Sequence, residues 1–153
     1  MKQKAIICDI DGVILDVSQV FKEIEELGLK GDAKWDYFDW HANGLRVFTN
    51  KEMVELIYTY YCVGITIVFL TARRERIKNL TAFRLYQDFK LYDCELEDFE
   101  LLMRSEGDYS PSAEVKEKHL LELKKKYEIL FAFDDDESNC EMFRKNNILT
   151  FKV

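Results

Sequence analysis

Proline is almost missing from this chain. Pro111 is the only one in 153 residues, and glycine contributes six. No low-complexity tract, internal repeat or long linker is present, which leaves long stretches free to form helix and strand. Cysteine is sparse as well. Cys8, Cys62, Cys94 and Cys140 are widely spaced and form no C-x-x-C pair, so neither a zinc site nor a disulfide framework is indicated, and buried or free thiols in a reducing compartment are expected. Positive charge is not in excess: the formal charge is −7, which excludes a protein that coats nucleic acid by bulk electrostatics and restricts any nucleic-acid contact to a small area. No apolar run approaches membrane-spanning length, and no signal-peptide core precedes the first strand. A cytoplasmic protein without a membrane partner is expected.

What is present is a core and a group of acids. With 48% hydrophobic residues the chain is long enough for one core and too short for two ordinary domains, so residues 1–153 are expected to form a single domain. Ile6-Ile7-Cys8-Asp9-Ile10-Asp11-Gly12-Val13 reads as a buried strand that delivers two carboxylates to its C-terminal edge. Asp9 and Asp11 share a side if the strand stays extended, and Gly12 lets the chain turn sharply away. Two like charges that close repel. The pair needs a cation or a proton between them, and a hard, oxygen-seeking ion such as Mg²⁺ is the natural candidate. A calcium loop is disfavoured because Ile14 and Leu15 stand where polar ligands belong.

Residues 4 to 9 make the first strand. Val17, Val20, Phe21, Ile24 and Leu27 have helical spacing, with Gly28 as a stop. Trp35-Asp36-Tyr37-Phe38-Asp39-Trp40-His41 is a dense aromatic patch within a segment, residues 14–50, expected to form a small flap over or beside the acids. Core under that flap is favoured over a platform for stacking a base, because aromatics interleaved with aspartate lack the lysine and arginine of such platforms. Thr49 and Glu52 have capping-box spacing ahead of a helix reaching Tyr61. Ile65 to Leu70 is the clearest strand, β-branched and nearly all apolar, and Thr71-Ala72-Arg73-Arg74 ends it. A basic helix follows to Phe89, then a strand from Phe99 to Met103. Pro111 suits the first position of a helix through Lys126. A strand from Ile129 to Phe133 runs into Asp134-Asp135-Asp136, and a helix over Ser138 to Lys145 with a strand from Ile148 to Lys152 completes the pattern. This alternation predicts an α/β fold, a three-layer Rossmann-like parallel sheet with helices on both faces. In such sheets ligands sit beyond the carboxyl ends of the strands, where Asp9, Asp11, Thr71, Asp134 and Asp135 all fall.

Four motifs in order at strand ends give the chain a resemblance to haloacid-dehalogenase (HAD) superfamily phosphatases. They are Asp9-Ile10-Asp11-Gly12-Val13, Thr71, Lys116 and Asp134-Asp135. A closer likeness is to the phosphatase domain of phage-type polynucleotide kinase/phosphatases, carried by Leu70-Thr71-Ala72-Arg73, Leu102-Met103-Arg104, Gly107-Asp108, Val115-Lys116, Phe133-Asp134-Asp135 and Met142-Phe143-Arg144. The likeness breaks where that family usually carries an arginine and an acidic residue and this chain has Ser110 and Ser112. No phosphate-binding G-x-x-x-x-G-K-[ST] loop is present, so no kinase half is indicated.

The resemblance implies a Mg²⁺-dependent phosphomonoesterase with Asp9 as nucleophile and Asp11 as general acid and base. Thr71 and Lys116 would hold phosphoryl oxygens, and Asp134 and Asp135 would join Asp9 and Asp11 around the metal. Asp136 reads as a helix N-cap, and Lys118 competes with Lys116 for the lysine role. Arg73 and Arg104, with Gly12 and Ala72, are the expected substrate-side residues. The expected substrate is a phosphorylated nucleic-acid end, with a nucleoside monophosphate as the alternative, and no obligate protein partner is inferred. A receiver-type phospho-switch is disfavoured because the third strand ends in Met103-Arg104 where that fold needs its acceptor aspartate. A binding module that has lost its chemistry is disfavoured too, since every catalytic position is filled.

Overall fold

The computed structural model describes residues 1–90 and 98–153, so Cys94 lies outside the described residues. In chain order the elements begin with β1 (Gln3–Cys8), β2 (Leu15–Asp16), α1 (Ser18–Glu26), α2 (Gly31–His41), β3 (Phe48–Thr49) and α3 (Lys51–Cys62). They continue with β4 (Thr66–Arg74), a short 3₁₀ turn, α4 (Lys78–Phe89), β5 (Phe99–Arg104), α5 (Ser112–Lys126), β6 (Tyr127–Asp134), α6 (Glu137–Lys145) and β7 (Leu149–Lys152). Five strands form one parallel sheet in the order β5-β4-β1-β6-β7.

The side-chain period of two sorts these strands into two cores. Ala5, Ile7, Val68, Leu70 and Ala132 pack with Leu120 and Leu123 of α5 and Met142 and Phe143 of α6. Ile6, Cys8, Ile67, Phe69 and Phe133 point the other way, toward Val54 and Ile57 of α3 and Leu85 and Phe89 of α4. Helices therefore cover both faces, as the near-continuous apolar strands require. The helix after β1 lies on one face and the helix after β6 on the other, so the crevice opens between the carboxyl ends of these two neighbouring strands.

Between β1 and α3 the chain makes a closed excursion. β2 and β3 pair antiparallel, Leu15 opposite Thr49, and clip its two ends together. Val20 and Ile24 of α1 and Phe38 of α2 join the core on the α3 side. The aromatic patch forms α2 itself, and it is only partly core: Phe38 is buried, whereas Trp35 and Trp40 stand exposed. Three other expectations are corrected. Thr71 to Arg74 continue β4 rather than follow it, with an irregularity in the β4–β5 pairing between Leu70 and Arg74. Pro111 occupies the cap before α5, with ψ of 152°, so Ser112 is the first helical residue. Asn50, not Thr49, caps α3 by accepting the Met53 N–H at 3.3 Å, because the Thr49 hydroxyl is donated to Asp88 at 2.6 Å.

Candidate active site

The backbone N–H of Asp9 donates to the Phe133 carbonyl at 3.0 Å, which fixes the end of β1 against the end of β6 and brings Asp9 beside Asp134. Lys116 enters between them from α5. Its Nζ lies 3.1 Å from Asp9 Oδ1 and 2.6 Å from Asp134 Oδ2, and all three residues are buried. Asp134 Oδ1 accepts from the Asp136 N–H at 3.0 Å and from Asn139 Nδ2 at 3.1 Å. Asp136 in turn caps α6, accepting the Asn139 N–H at 3.1 Å.

Burial pushes the Asp9 carboxyl well above the carboxylate range; Lys116 opposes the shift, and Asp134, Asp11 and Asp135 add to it. Burial works against the Lys116 charge as well, yet Asp9 and Asp134 hold its ammonium above the ordinary lysine value. Cys8, directly behind, is pushed up by burial and then by Asp9, so it is an inert thiol. Carboxylate oxygens of Asp9, Asp134 and Asp135 lie within 4.8 Å of one another. Asn139 adds an amide oxygen, Oδ1, that is buried without a hydrogen-bond partner. The three clustered carboxylates are hard oxygen donors of the kind that suits a small divalent cation such as Mg²⁺.

Asp11 stands apart from this cluster, which corrects its expected place among the metal ligands. Arg73 holds it: Nη2 donates to Oδ1 at 2.6 Å, and Nε lies 3.1 Å from Oδ1 and 3.0 Å from Oδ2. Arg73 is itself buried, donating also to Asn43 Oδ1 at 2.6 Å, Thr81 Oγ1 at 3.2 Å and the Ala42 carbonyl at 3.1 Å. It is thus an internal tie between the excursion, α4 and Asp11, where a substrate-binding residue was expected. Gly12 has φ of +80°, and a Cβ placed there would collide with the Asp135 carboxylate. Only glycine lets the turn after β1 run this close to the acids.

Thr71 is buried at the floor of the cleft, its Oγ1 accepting the Arg73 N–H at 3.2 Å. Arg104, also expected on the substrate side, donates to the carbonyls of Ala72 at 3.1 Å, Asp108 at 3.0 Å and Ser110 at 2.5 Å, and so straps the loop after β5 to β4. Lys118 pairs with Asp108 at 3.0 Å with an exposed side chain, which leaves the buried position to Lys116. Asp9, Asp11, Gly12, Thr71, Ala72, Arg73, Arg104, Lys116 and Asp135 all line one cleft of about 740 Å³, with Asp134 buried at its base. Sequence reasoning missed Asn43 and Asn139. For Asn139 a signal existed: it falls three residues after the Asp136 cap, on the first turn of α6, back toward the acids.

Fold and site together define a phosphatase domain of the HAD type. The profile of the family described as "Polynucleotide kinase PNKP phosphatase domain" matches residues 3–153, and the chain belongs to that family. A search of curated proteins gave no match. Among solved structures, the chain is similar to one described as the Pnkp1/Rnl/Hen1 complex, with 22% identity, a TM-score of 0.72, and coverage of 99% of this chain and 46% of that one. It is also similar to the class C acid phosphatase from Bacillus anthracis (18% identity, TM-score 0.65, 90% and 53% covered) and to CbbY from Rhodobacter sphaeroides (15% identity, TM-score 0.60, 98% and 85% covered). At these identities the structures speak for the fold alone. The chain spans less than half of the first of them and about half of the second. Among the described residues no helix is long and apolar enough to cross a membrane.

Proposed function

We propose that this domain hydrolyses phosphomonoesters with Mg²⁺ through an aspartyl-phosphate, and that its substrate is the 3′-phosphate at a nucleic-acid end. The observation that carries the reading is the buried Asp9–Lys116–Asp134 bridge beside Asp135, on the family's motif positions. Asp9, Asp134 and Asp135 would hold the ion, which when bound supplies the positive charge that lets an anionic nucleophile approach an anionic phosphate. The remaining work falls to side chains. A carboxylate oxygen of Asp9 attacks phosphorus, the phosphorus–oxygen ester bond breaks, and Asp11 gives its proton to the leaving oxygen. Asp11 then takes a proton from water, the water oxygen attacks phosphorus, and the bond to Asp9 breaks to release inorganic phosphate. Arg73 engages Asp11 Oδ1 twice and Oδ2 once, so Oδ2 has the greater capacity for the transferred proton. Lys116 and the Thr71 hydroxyl neutralise and orient phosphoryl oxygens.

Residues 14–50 would serve as a small flap, contributing Val17, Phe21, Asp32, Trp35 and Asp39 to the lining of the cleft. The 3′-end assignment draws on family membership. A nucleoside monophosphatase is the second reading, favoured because Arg73 and Arg104, the arginines expected on the substrate side, are already engaged by Asp11 and by backbone carbonyls. The deciding measurement is kcat/KM at fixed salt for a 3′-phosphorylated oligonucleotide, its 5′-phosphorylated isomer, and the 3′- and 5′-mononucleotides. A clear win for 5′-mononucleotides replaces end processing with a nucleotidase; inertness of all four removes the phosphatase reading itself.

A further inference from the structure

Away from the acids, the same cleft has an aromatic wall. Phe21 of α1, Trp35 and Phe38 of α2, and Tyr109 from the β5–α5 connection all line it. Phe38 is core, but Phe21 is 37% exposed, Trp35 44% and Tyr109 85%. The first two are held in place. Phe21 stacks on Phe38 with centroids 5.2 Å apart, and Trp35 meets Phe38 edge-on at 6.0 Å. Lys34 Nζ lies 4.6 Å from the Trp35 ring centroid, a further cation–π restraint. Rings already fixed on a buried neighbour lose little freedom when a planar ligand covers them, so stacking there is favourable.

The charges in the cleft exclude the usual alternative. Its four basic lining residues, Arg73, Arg74, Arg104 and Lys116, are each engaged. Arg73 holds Asp11, Arg104 holds three carbonyls, and Lys116 bridges Asp9 and Asp134. Arg74 pairs with Asp39 at 2.5 Å and Asp36 at 2.8 Å. The aromatic wall itself carries Asp16, Asp32 and Asp39. A phosphodiester chain lying here would meet carboxylates and find its cations already taken.

We propose that the cleft grips its substrate by the base of a single terminal nucleoside, stacked on Trp35 and Phe21 with Tyr109 at the rim, and not by the phosphodiester chain behind it. This rests on the phosphatase reading above and specifies which part of the substrate is recognised. A mononucleotide and an oligonucleotide end are then equivalent, and a base-less end is not.

The test uses the full chain with Mg²⁺ and four substrates: a 3′-mononucleotide, a 3′-phosphorylated oligonucleotide, the same oligonucleotide ending in an abasic 3′-phosphate, and glycerol phosphate. Removing the terminal base is expected to raise KM about tenfold, the worth of one stacked base. Lengthening the chain is expected to change KM less than about threefold, with little dependence on salt. Trp35→Ala should bring the ratio of base-bearing to base-less kcat/KM toward one, and Tyr109→Ala should move it the same way. The proposal is overturned if the abasic end is as good a substrate as the normal one. It is equally overturned if the oligonucleotide is strongly preferred with a steep salt dependence, or if Trp35→Ala lowers both substrates by one common factor. Turnover of glycerol phosphate without any base effect rejects base stacking on the aromatic wall and keeps the phosphatase; absence of turnover on all four rejects both.

Discussion

Lys116→Met tests the electrostatic arrangement at its centre. Methionine retains most of the apolar stem that α5 buries and removes only the ammonium, so packing changes little. What it leaves is Asp9 and Asp134, both buried, without the cation that lies 3.1 Å from one and 2.6 Å from the other. Removing one partner of a buried ion pair costs about 3–5 kcal/mol, a large part of the roughly 5–15 kcal/mol that holds a domain folded. For a chain of this size that corresponds to a fall in Tm of about 6–20 °C. The melt should be followed by circular dichroism in chelator and again in excess Mg²⁺. Chelator should show the full loss. Mg²⁺ should recover part of it, because a divalent cation among Asp9, Asp134 and Asp135 supplies the missing positive charge and binds only the folded state. A variant whose Tm in chelator stays within about 2 °C of the parent would refute the reasoning, since the two acids would then relax without a counter-charge.

Asp9→Asn should fold, by circular dichroism and gel filtration, and release no measurable phosphate, because an amide keeps the shape and loses the nucleophile. Asp11→Asn should lower kcat by about 10²–10⁴ while Mg²⁺-dependent stabilisation in a thermal shift assay persists, since Asp11 lies outside the acid cluster. Gly12→Ala should destabilise by about 1–2 kcal/mol from its left-handed backbone alone and reduce turnover further by displacing Asp135; denaturant melts and phosphate release check the two parts separately. Chelator should abolish turnover, with Mg²⁺ restoring it and Ca²⁺ restoring it poorly, because Ca²⁺ accepts longer bonds and more ligands and so misaligns the attacking carboxylate.

The sheet was legible because its central strands β1, β4 and β6 carry uninterrupted apolar runs, and Asp9 and Asp134 directly follow two of them. Sequence position then translates into spatial position without further information. Lys116 was legible only through family likeness, since nothing in a helix of lysines and glutamates says which lysine turns inward. Arg73 was misread for a physical reason. Its partners Ala42 and Asn43 come from a loop about thirty residues away in sequence, Thr81 comes from the helix that follows, and the burial of an arginine depends on their closing over it together. Helix α2 escaped because its aromatics and acids interleave without an apolar stripe, so no helical period rises above the noise. Two of its three acids, Asp36 and Asp39, are explained by Arg74 and Arg76, which pair with them.

The strand order has a consequence for how the site comes into being during synthesis. β1 emerges first and pairs with β4 on one side, but its other neighbour is β6, which follows five helices later. Until then a nascent chain carries Asp9 at the tip of a central strand with an open edge, a template for misassociation that the chain must survive. Lys116 precedes Asp134 in the chain, so the ammonium is available to Asp9 before the second buried acid arrives. The charge that spaces the two carboxylates in the finished fold is therefore already present when they first meet.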